Sequence, residues 1–362
     1  MGAREHMARI LLTGAGSGAA NSLMRDLRAG DSHLYFVGCS ANRFALTKSS
    51  ADRNYLVDPT DHPGYVDSLR RIVVKEQIDF LIPTSDDDVL VIARSRRALP
   101  ARVFLPSVET VEQCQDKYRL ACRLLAQGVP APRTCSITEL ADVERAFEAL
   151  GSGPLWCRTR GGSGSSGAAP VMTPEQARWW ISYWSEMRGV PVASFTLSEY
   201  LPGRDFFAQG LWDQGELVVI KTCERLSYFV VGGAPSGISS ASRLSKTIDE
   251  PRVVEICVAA IQALDLAASG TFNFDLREDV AGRPCITEIN AGRFPAGTGI
   301  FNLTGKHNLA LVYLRLGMGE PVDIRAEHDS TDLCYQLRDL DALPAVFRPD
   351  EPFERIEDAR DE

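Results

Sequence analysis

Two short segments of this 362-residue sequence put oxygen-bearing side chains where a hard cation could be held. In Thr271-Phe272-Asn273-Phe274-Asp275 and in Cys285-Ile286-Thr287-Glu288-Ile289-Asn290, polar and apolar residues alternate with the two-residue period of a strand. Asn273 and Asp275 then share one face with Phe272 and Phe274 on the other, and Glu288 and Asn290 share a face opposite Ile289. A turn at Ala281-Gly282 sets Asp275 across from Glu288 and Asn273 across from Asn290. Two opposed carboxylates destabilise a sheet unless positive charge lies between them. Asp275, Glu288 and Asn290 offer carboxylate and carboxamide oxygen without Cys or His. Such a set selects Mg²⁺ (or Mn²⁺), an ion that keeps waters and binds through substrate phosphates. Taken alone, the pair also reads as a solvated hairpin with its polar face in water.

A second feature is the run Arg160-Gly161-Gly162-Ser163-Gly164-Ser165-Ser166-Gly167, preceded by Arg158 on the strand-like residues 155–159. Consecutive backbone N–H groups with no Cβ in the way can wrap phosphate oxygens, and a nearby guanidinium adds charge-assisted hydrogen bonds. The run lacks the Gly-Lys-Ser or Gly-Lys-Thr ending of a Walker loop and sits between two strands, so it reads as a mobile lid or, alone, as a linker. A third feature is Glu199-Tyr200-Leu201-Pro202-Gly203-Arg204-Asp205, a strand running into a Pro-Gly hinge. Extended backbone there offers the acceptor and donor that an adenine needs, with Asp205 in reach of ribose hydroxyls. An ordinary loop with a surface carboxylate has the same composition.

In this order, with Asp116-Lys117 ahead of them, the segments resemble the ATP-grasp superfamily over residues 114–316, and its carbamoyl-phosphate-synthase-like and carboxylate–amine ligase branches in particular. The resemblance implies that Lys117 and Arg158 approach the nucleotide phosphates and that Gly161–Gly167 closes over them. It makes Glu199, Tyr200 and Leu201 the adenine hinge and Asp205 the ribose-binding acid. ATP and Mg²⁺ (or Mn²⁺) are the implied cofactors, with Asp275, Glu288 and Asn290 as metal ligands. Asn290-Ala291-Gly292-Arg293 carries one residue more than the family's frequent Asn-Pro-Arg, and Arg293 is expected to stabilise the transferring γ-phosphate.

The implied activity is an ATP-dependent carboxylate–amine (or thiol) ligase that forms an acyl phosphate on an amino acid or small peptide-like substrate. Bicarbonate or carbamate is the alternative acid. Lys221, Arg225 and Arg293 are expected to hold the carboxylate or the intermediate, Lys221 and Arg293 in catalysis and Arg225 and Arg293 in substrate binding; Lys221 and Arg225 also read as surface cations. Asp86, just after an apolar strand, is placed to bind a substrate ammonium or simply to start a helix. Residues 294–302 are expected to line the acceptor pocket and 236–245 to form an exposed substrate loop.

These groups need a scaffold, and its periodicity is legible. Strand-like runs at 9–13, 34–38, 80–83 and 103–105 alternate with helical patterns at 21–29, 64–76 and 88–98, which predicts a parallel sheet in an α/β unit. A helix from Asp116 ends at Gly128, after which Pro130 and Pro132 forbid its continuation. Residues 206–212 and 216–222 read as a hairpin, 252–264 as a helix, and 306–316 as a helix closing at Gly317. The expected fold class is therefore α/β, with an N-terminal parallel-sheet domain (8–112) followed by a two-part α+β ATP-grasp fold. Its first part with the glycine-rich lid spans 113–201, its second part with the metal site 202–330, and 331–362 forms a C-terminal extension. Residues 1–7 lack pattern and read as a leader.

Bulk composition narrows the partners. A net charge of −9 argues against nucleic acid or an anionic membrane, both of which call for a basic footprint. No run approaches the roughly 18 apolar residues of a spanning helix. Nine scattered cysteines without a CxxC pair indicate neither a disulfide framework nor a zinc site. A cytoplasmic enzyme of small carboxylates and amines is expected, with a homodimer left open. One rival stands in Thr13-Gly14-Ala15-Gly16-Ser17-Gly18, which follows a strand, opens a helix and nearly spells a dinucleotide fingerprint. Ser40 and Arg43 could then accept a 2′-phosphate, making an NADP-dependent oxidoreductase the competing class, and a non-catalytic nucleotide binder the third.

Overall fold

The computed structural model describes residues 7–151, 153–162, 167–229, 241–330, 333–339 and 343–348. The first sheet is parallel, in the order β3-β2-β1-β4, from β1 (Arg9–Leu12), β2 (Tyr35–Ser40), β3 (Arg53–Leu56) and β4 (Phe80–Ile82). Helices α1 (Gly18–Gly30), α2 (Arg43–Leu46), α3 (Tyr65–Glu76) and α4 (Asp86–Ser95) connect and follow its strands. The continuous apolar runs of β1 and β4 are buried on both faces, as parallel strands covered by helices must be. Ser17 and Ser85 cap α1 and α4 by accepting the Ala20 and Asp88 N–H groups. Residues 103–105, expected to be a strand, are extended chain without a ladder; Phe80 only bridges Arg102. Of these three apolar residues only Leu105 is fully buried, and none pairs in a ladder.

Helices α5 (Val108–Gln115) and α6 (Lys117–Ala126) lead into the second sheet, antiparallel in the order β5-β8-β6-β7. Its strands are β5 (Thr134–Ile137), β6 (Leu155–Thr159), β7 (Ala169–Val171) and β8 (Phe195–Glu199), backed by α7 (Asp142–Leu150) and α8 (Pro174–Arg188). Asp116 caps α6 through the Tyr118 and Arg119 N–H groups, which fixes Lys117 at the first helical position.

The third sheet follows the order β13-β12-β9-β10-β11-β15-β16, with β14 beside β10. It comprises β9 (Asp205–Asp213), β10 (Glu216–Tyr228), β11 (Ser242–Thr247), β12 (Gly270–Glu278), β13 (Pro284–Ala291), β14 (Glu327–His328), β15 (Tyr335–Leu337) and β16 (Ala345–Phe347). On one face Phe272 and Phe274 pack around Trp212 and against α9 (Pro251–Leu264). The opposite face looks toward the first sheet. There Phe207, Leu211 and Val219 join Ile10, Leu12 and Phe80 in one core, closed by α10 (Gly299–Asn302) and α11 (Leu309–Met318). Tyr313 touches Phe80, Phe104 and Phe294, so α11 ties the first sheet to the third.

Two expectations change here. The last helix runs through Gly317 and stops at Gly319, whose φ of 76° makes the left-handed cap. Gly317 is needed for clearance instead: a Cβ there would lie 2.2 Å from the Phe80 ring. Of the expected loop 236–245, residues 242–245 belong to β11, and 236–240 lie outside the described residues. Among the described residues no helix is long and apolar enough to cross a membrane.

Candidate active site

The register of the third sheet brings together the residues expected to be oxygen ligands. Asp275 faces Glu288 and Asn273 faces Asn290, as the alternation required. Nearer the turn Leu276 pairs with Ile286, so Thr287 is an extra residue, a bulge that shifts the ladder by one. The bulged Thr287 donates its hydroxyl to the Asp275 carbonyl at 3.0 Å and offers its own carbonyl to Arg158 at 2.8 Å. Across the neighbouring strands, Asp275 lies beside Phe207 and then Cys223, and Asn273 beside Gln209 and then Lys221.

A cleft of about 830 Å³ opens over this face. One wall is the second sheet and hinge, with Trp156, Arg158, Tyr200 and Leu201; another is the start of α4, with Ser85 and Asp86. Lys117, Asp205, Arg225, Asp275, Glu288, Asn290 and Arg293 all line it, as does Gly162. Of 294–302, residues Pro295, Ala296, Gly297 and Ile300 close one side.

Asp275, Glu288 and Asn290 each face one of the chain's own cations. Glu288 stands 3.5 Å from the Lys117 ammonium and 4.0 Å from Arg158. Asp275 is bonded by Arg225, whose other nitrogen reaches Asp205 at 3.0 Å. Asn290 accepts from Arg293 at 2.5 Å, and Arg293 also clasps both oxygens of Asp86 at 2.5 and 3.1 Å. Burial pulls the Arg158 pKa down, against the fields of Glu288 and Asp275. For Arg225 burial has the same sense, but Asp275, Asp205 and Tyr228 outweigh it and hold its pKa up. Two carboxylates and one carboxamide on one sheet face suit a hard divalent ion that completes its shell with water and phosphate. Among the described residues no cluster of three or more His, Cys, Asp or Glu could form an all-protein cage.

Several expected residues are brought together and others are not. Lys117 donates to the Gly162 carbonyl at 2.7 Å and thereby tethers the glycine-rich run; Ser163–Ser166 lie outside the described residues. Gly161 has open space where a Cβ would go, and Gly162 sits at φ 85°. The Glu199 carboxylate is engaged by Arg133, through its Nε at 2.7 Å and its backbone N–H at 2.9 Å. Glu199, Tyr200 and Leu201 all line the cleft. Asp205 is held by Arg225 and by the Tyr228 hydroxyl. Asp86, read as an ammonium site, is occupied by Arg293.

Lys221 is the clear correction. Its ammonium is buried, paired with Asp329 at 2.8 Å and donating to the Thr304 and His307 carbonyls at 2.5 and 2.6 Å, and it does not line the cleft. The partners that capture it come from residues more than eighty positions away, which no local pattern reveals. The Asp205–Arg225–Asp275 chain, with links of 20 and 50 positions, and the Asp86–Arg293 clasp, spanning 207, are likewise pairings that no local pattern reveals. The glycine turn that suggested the NADP rival is packed tightly against its own chain. At Gly16, with φ 87°, a Cβ would fall 1.8 Å from the Ala45 carbonyl, and at Gly14 it would fall 2.5 Å from the Thr84 hydroxyl. This glycine turn is filled by its own chain.

No family model matches the sequence, and no curated protein matches it at the level of sequence. Solved structures do match. An L-amino acid ligase from Bacillus licheniformis superposes with a TM-score of 0.69 at 15% identity, covering 91% of this chain and 79% of that one. A biotin carboxylase complexed with βγ-ATP from Campylobacter jejuni gives 0.70 at 13%, over 91% and 75% of the two chains. An N5-carboxyaminoimidazole synthetase from Staphylococcus aureus complexed with ADP gives 0.68 at 13%, over 91% and 81%. These neighbours are ATP-grasp enzymes, and the chain has the ATP-grasp fold, preceded by a parallel α/β unit.

Proposed function

We propose that the protein is an ATP-dependent ligase that activates a carboxylate as an acyl phosphate and passes the acyl group to an amine. The observation that carries this reading is the set Asp275, Glu288 and Asn290 opposed on one sheet face, inside a cleft whose walls also hold Lys117, Arg158, Arg225 and Arg293. Structures of like fold carry ATP or ADP in their complexes. Bound there, Mg²⁺ would neutralise charge on the transferring phosphoryl group.

The chain's own residues then divide the work. Tyr200 and Leu201 wall the adenine side, and Lys117 with Arg158 takes the phosphates, each leaving Glu288 to do so. A substrate carboxylate oxygen attacks the γ-phosphorus in line, the bond to the ADP oxygen breaks, and ADP leaves. The amine nitrogen next attacks the acyl carbon, inorganic phosphate departs, and the nitrogen loses a proton. Neither step needs a protein nucleophile; fixed positive charge is what the cleft supplies. Arg293, steadied by Asp86, is the cation placed beside the metal strand for the transferring phosphoryl group.

Phe207, Phe229 and Ile300 on the cleft wall favour an organic acid over bicarbonate, which has no apolar part for them to cover. Incubation with ATP, Mg²⁺ and amino-acid mixtures tests the reading. ADP and phosphate should appear only when a carboxylate and an amine are both present. ADP release with bicarbonate alone, or reduction of NADP, would contradict it.

A further inference from the structure

The acids on the floor of the cleft are matched by the chain's own cations. Glu288 faces Lys117 at 3.5 Å and Arg158 at 4.0 Å, and Asp205 meets Arg225 at 3.0 Å and Arg277 at 3.7 Å. Arg225 also bonds Asp275 through its other terminal nitrogen. These three carboxylates therefore stand among four cations, and together they present a bare divalent ion with no net negative charge. A polyphosphate changes the balance, because it brings its own negative charge and draws Lys117 and Arg158 from Glu288.

Arg225 differs from those two in spanning a pair of acids on different strands, Asp205 at the start of β9 and Asp275 on β12. Its guanidinium lies 4.8 Å from the centre of the Phe207 ring, and the Tyr228 hydroxyl donates to the same Asp205. The second oxygen of Asp275 is 3.4 Å from the Asn290 amide nitrogen, so each oxygen of this carboxylate faces a protein donor. A divalent ion that takes Asp275 must displace the guanidinium or share the carboxylate with it. Arg225 need not leave the cleft for that: its bond to Asp205 and the Phe207 ring stay in place while one nitrogen turns away.

We propose that Arg225 is a built-in competitor of the metal at Asp275, so that this face takes a divalent ion only together with a polyphosphate. Through its other nitrogen it ties that exchange to Asp205, the acid expected at the ribose. The inference rests on the metal–nucleotide part of the ligase reading and makes Arg225 a positioning residue, in place of the substrate binding expected for it. A guanidinium suits the task, since it keeps its charge at any working pH and its planar fork can hold two carboxylates at once. Removing one unit charge from about 4 Å of a divalent ion should raise the ion's affinity by about 10-fold or more, even at the dielectric of water.

The test is equilibrium dialysis of the intact protein against Mn²⁺, alone and with a non-hydrolysable ATP analogue, with the Mn²⁺ retained by protein read by electron paramagnetic resonance. The wild type should retain little Mn²⁺ alone and bind it well with the analogue. Arg225→Gln should bind Mn²⁺ alone about 10-fold or more tightly than the wild type, and Arg225→Lys, whose ammonium reaches one carboxylate but not both, should fall between. Adding Asp275→Asn to Arg225→Gln should abolish the gain, with thermal unfolding confirming the fold of each variant. A wild type that retains Mn²⁺ equally with and without the analogue overturns the proposal. So does a folded Arg225→Gln or Arg225→Lys protein whose binding of Mn²⁺ alone is unchanged, the result expected if Arg225 only held nucleotide or only braced the sheet. Protein that retains no Mn²⁺ under any condition removes the metal assignment and this inference with it. If the Mn²⁺ results are as described but ATP with a carboxylate and an amine yields no ADP, the competitor role stands and the ligase reading alone fails.

Discussion

The protein contains two glycine-rich turns after strands, and they use glycine for opposite ends. In the turn after β1, Gly14 and Gly16 sit at positive φ with their missing side chains facing the Thr84 hydroxyl and the Ala45 carbonyl. Glycine there lets protein pack against protein. In the turn after β6, nothing lies within 4 Å of where a Cβ on Gly161 or Gly162 would stand, and Lys117 holds the Gly162 carbonyl beside the cleft. Glycine there keeps space open and backbone N–H groups exposed. The sequence motif that looks most like a nucleotide loop is thus structural, and the one that spells no standard fingerprint borders the candidate site.

The sharpest way to break this contrast is Gly16→Ala. A Cβ 1.8 Å from a backbone oxygen, on a residue at φ 87°, cannot be relieved by a side-chain movement. We expect a loss of about 4 kcal/mol or more, at the extreme for a single substitution, read as a collapse of soluble yield or of Tm. Unchanged thermal unfolding would mean that the turn after β1 is not packed as described.

The two buried lysines extend the comparison. Lys221→Met leaves the buried Asp329 without its cation, held by the Lys306 and His307 N–H groups, and should cost about 3–5 kcal/mol in denaturant unfolding while leaving nucleotide affinity in the surviving folded fraction intact. Lys117→Met should do the reverse, weakening nucleotide binding with little change in unfolding. Smallest is Gly161→Ala, expected to shift stability by no more than about 0.5 kcal/mol because its Cβ meets open space. Its effect should show as a severalfold rise in the KM for ATP. A stability loss comparable to that of Gly16→Ala would erase the distinction between the turns.

How much of this was written in the sequence depends on how local the signal is. The Asp275–Glu288 and Asn273–Asn290 pairings follow from two-residue alternation and a nearby turn, and the bulge at Thr287 absorbs the one-residue discrepancy without moving either pair. The hinge, the glycine-rich run and the cap that starts α6 are likewise short-range. Exposed β3, with little apolar alternation, gave no such signal, nor did β15, whose partner β11 is some ninety residues earlier. Asp86 with Arg293, and Lys221 with Asp329, meet through contacts between distant segments. A cation in a sequence does not announce whether an acid will meet it.

Glu288 offers the most direct test of the central claim, because it faces Asp275 on the sheet and the two phosphate-binding candidates, Lys117 and Arg158, in the cleft. Glu288→Gln keeps the shape and removes the charge. Nucleotide-dependent Mn²⁺ binding, followed by electron paramagnetic resonance alongside ADP release, should be strong in the wild type. In the variant both signals should fall by about two orders of magnitude or more while thermal unfolding stays unchanged, as loss of a transition-state charge requires. A folded Glu288→Gln protein that binds Mn²⁺ and turns over ATP like the wild type would contradict the assignment of this sheet face as the metal–nucleotide site.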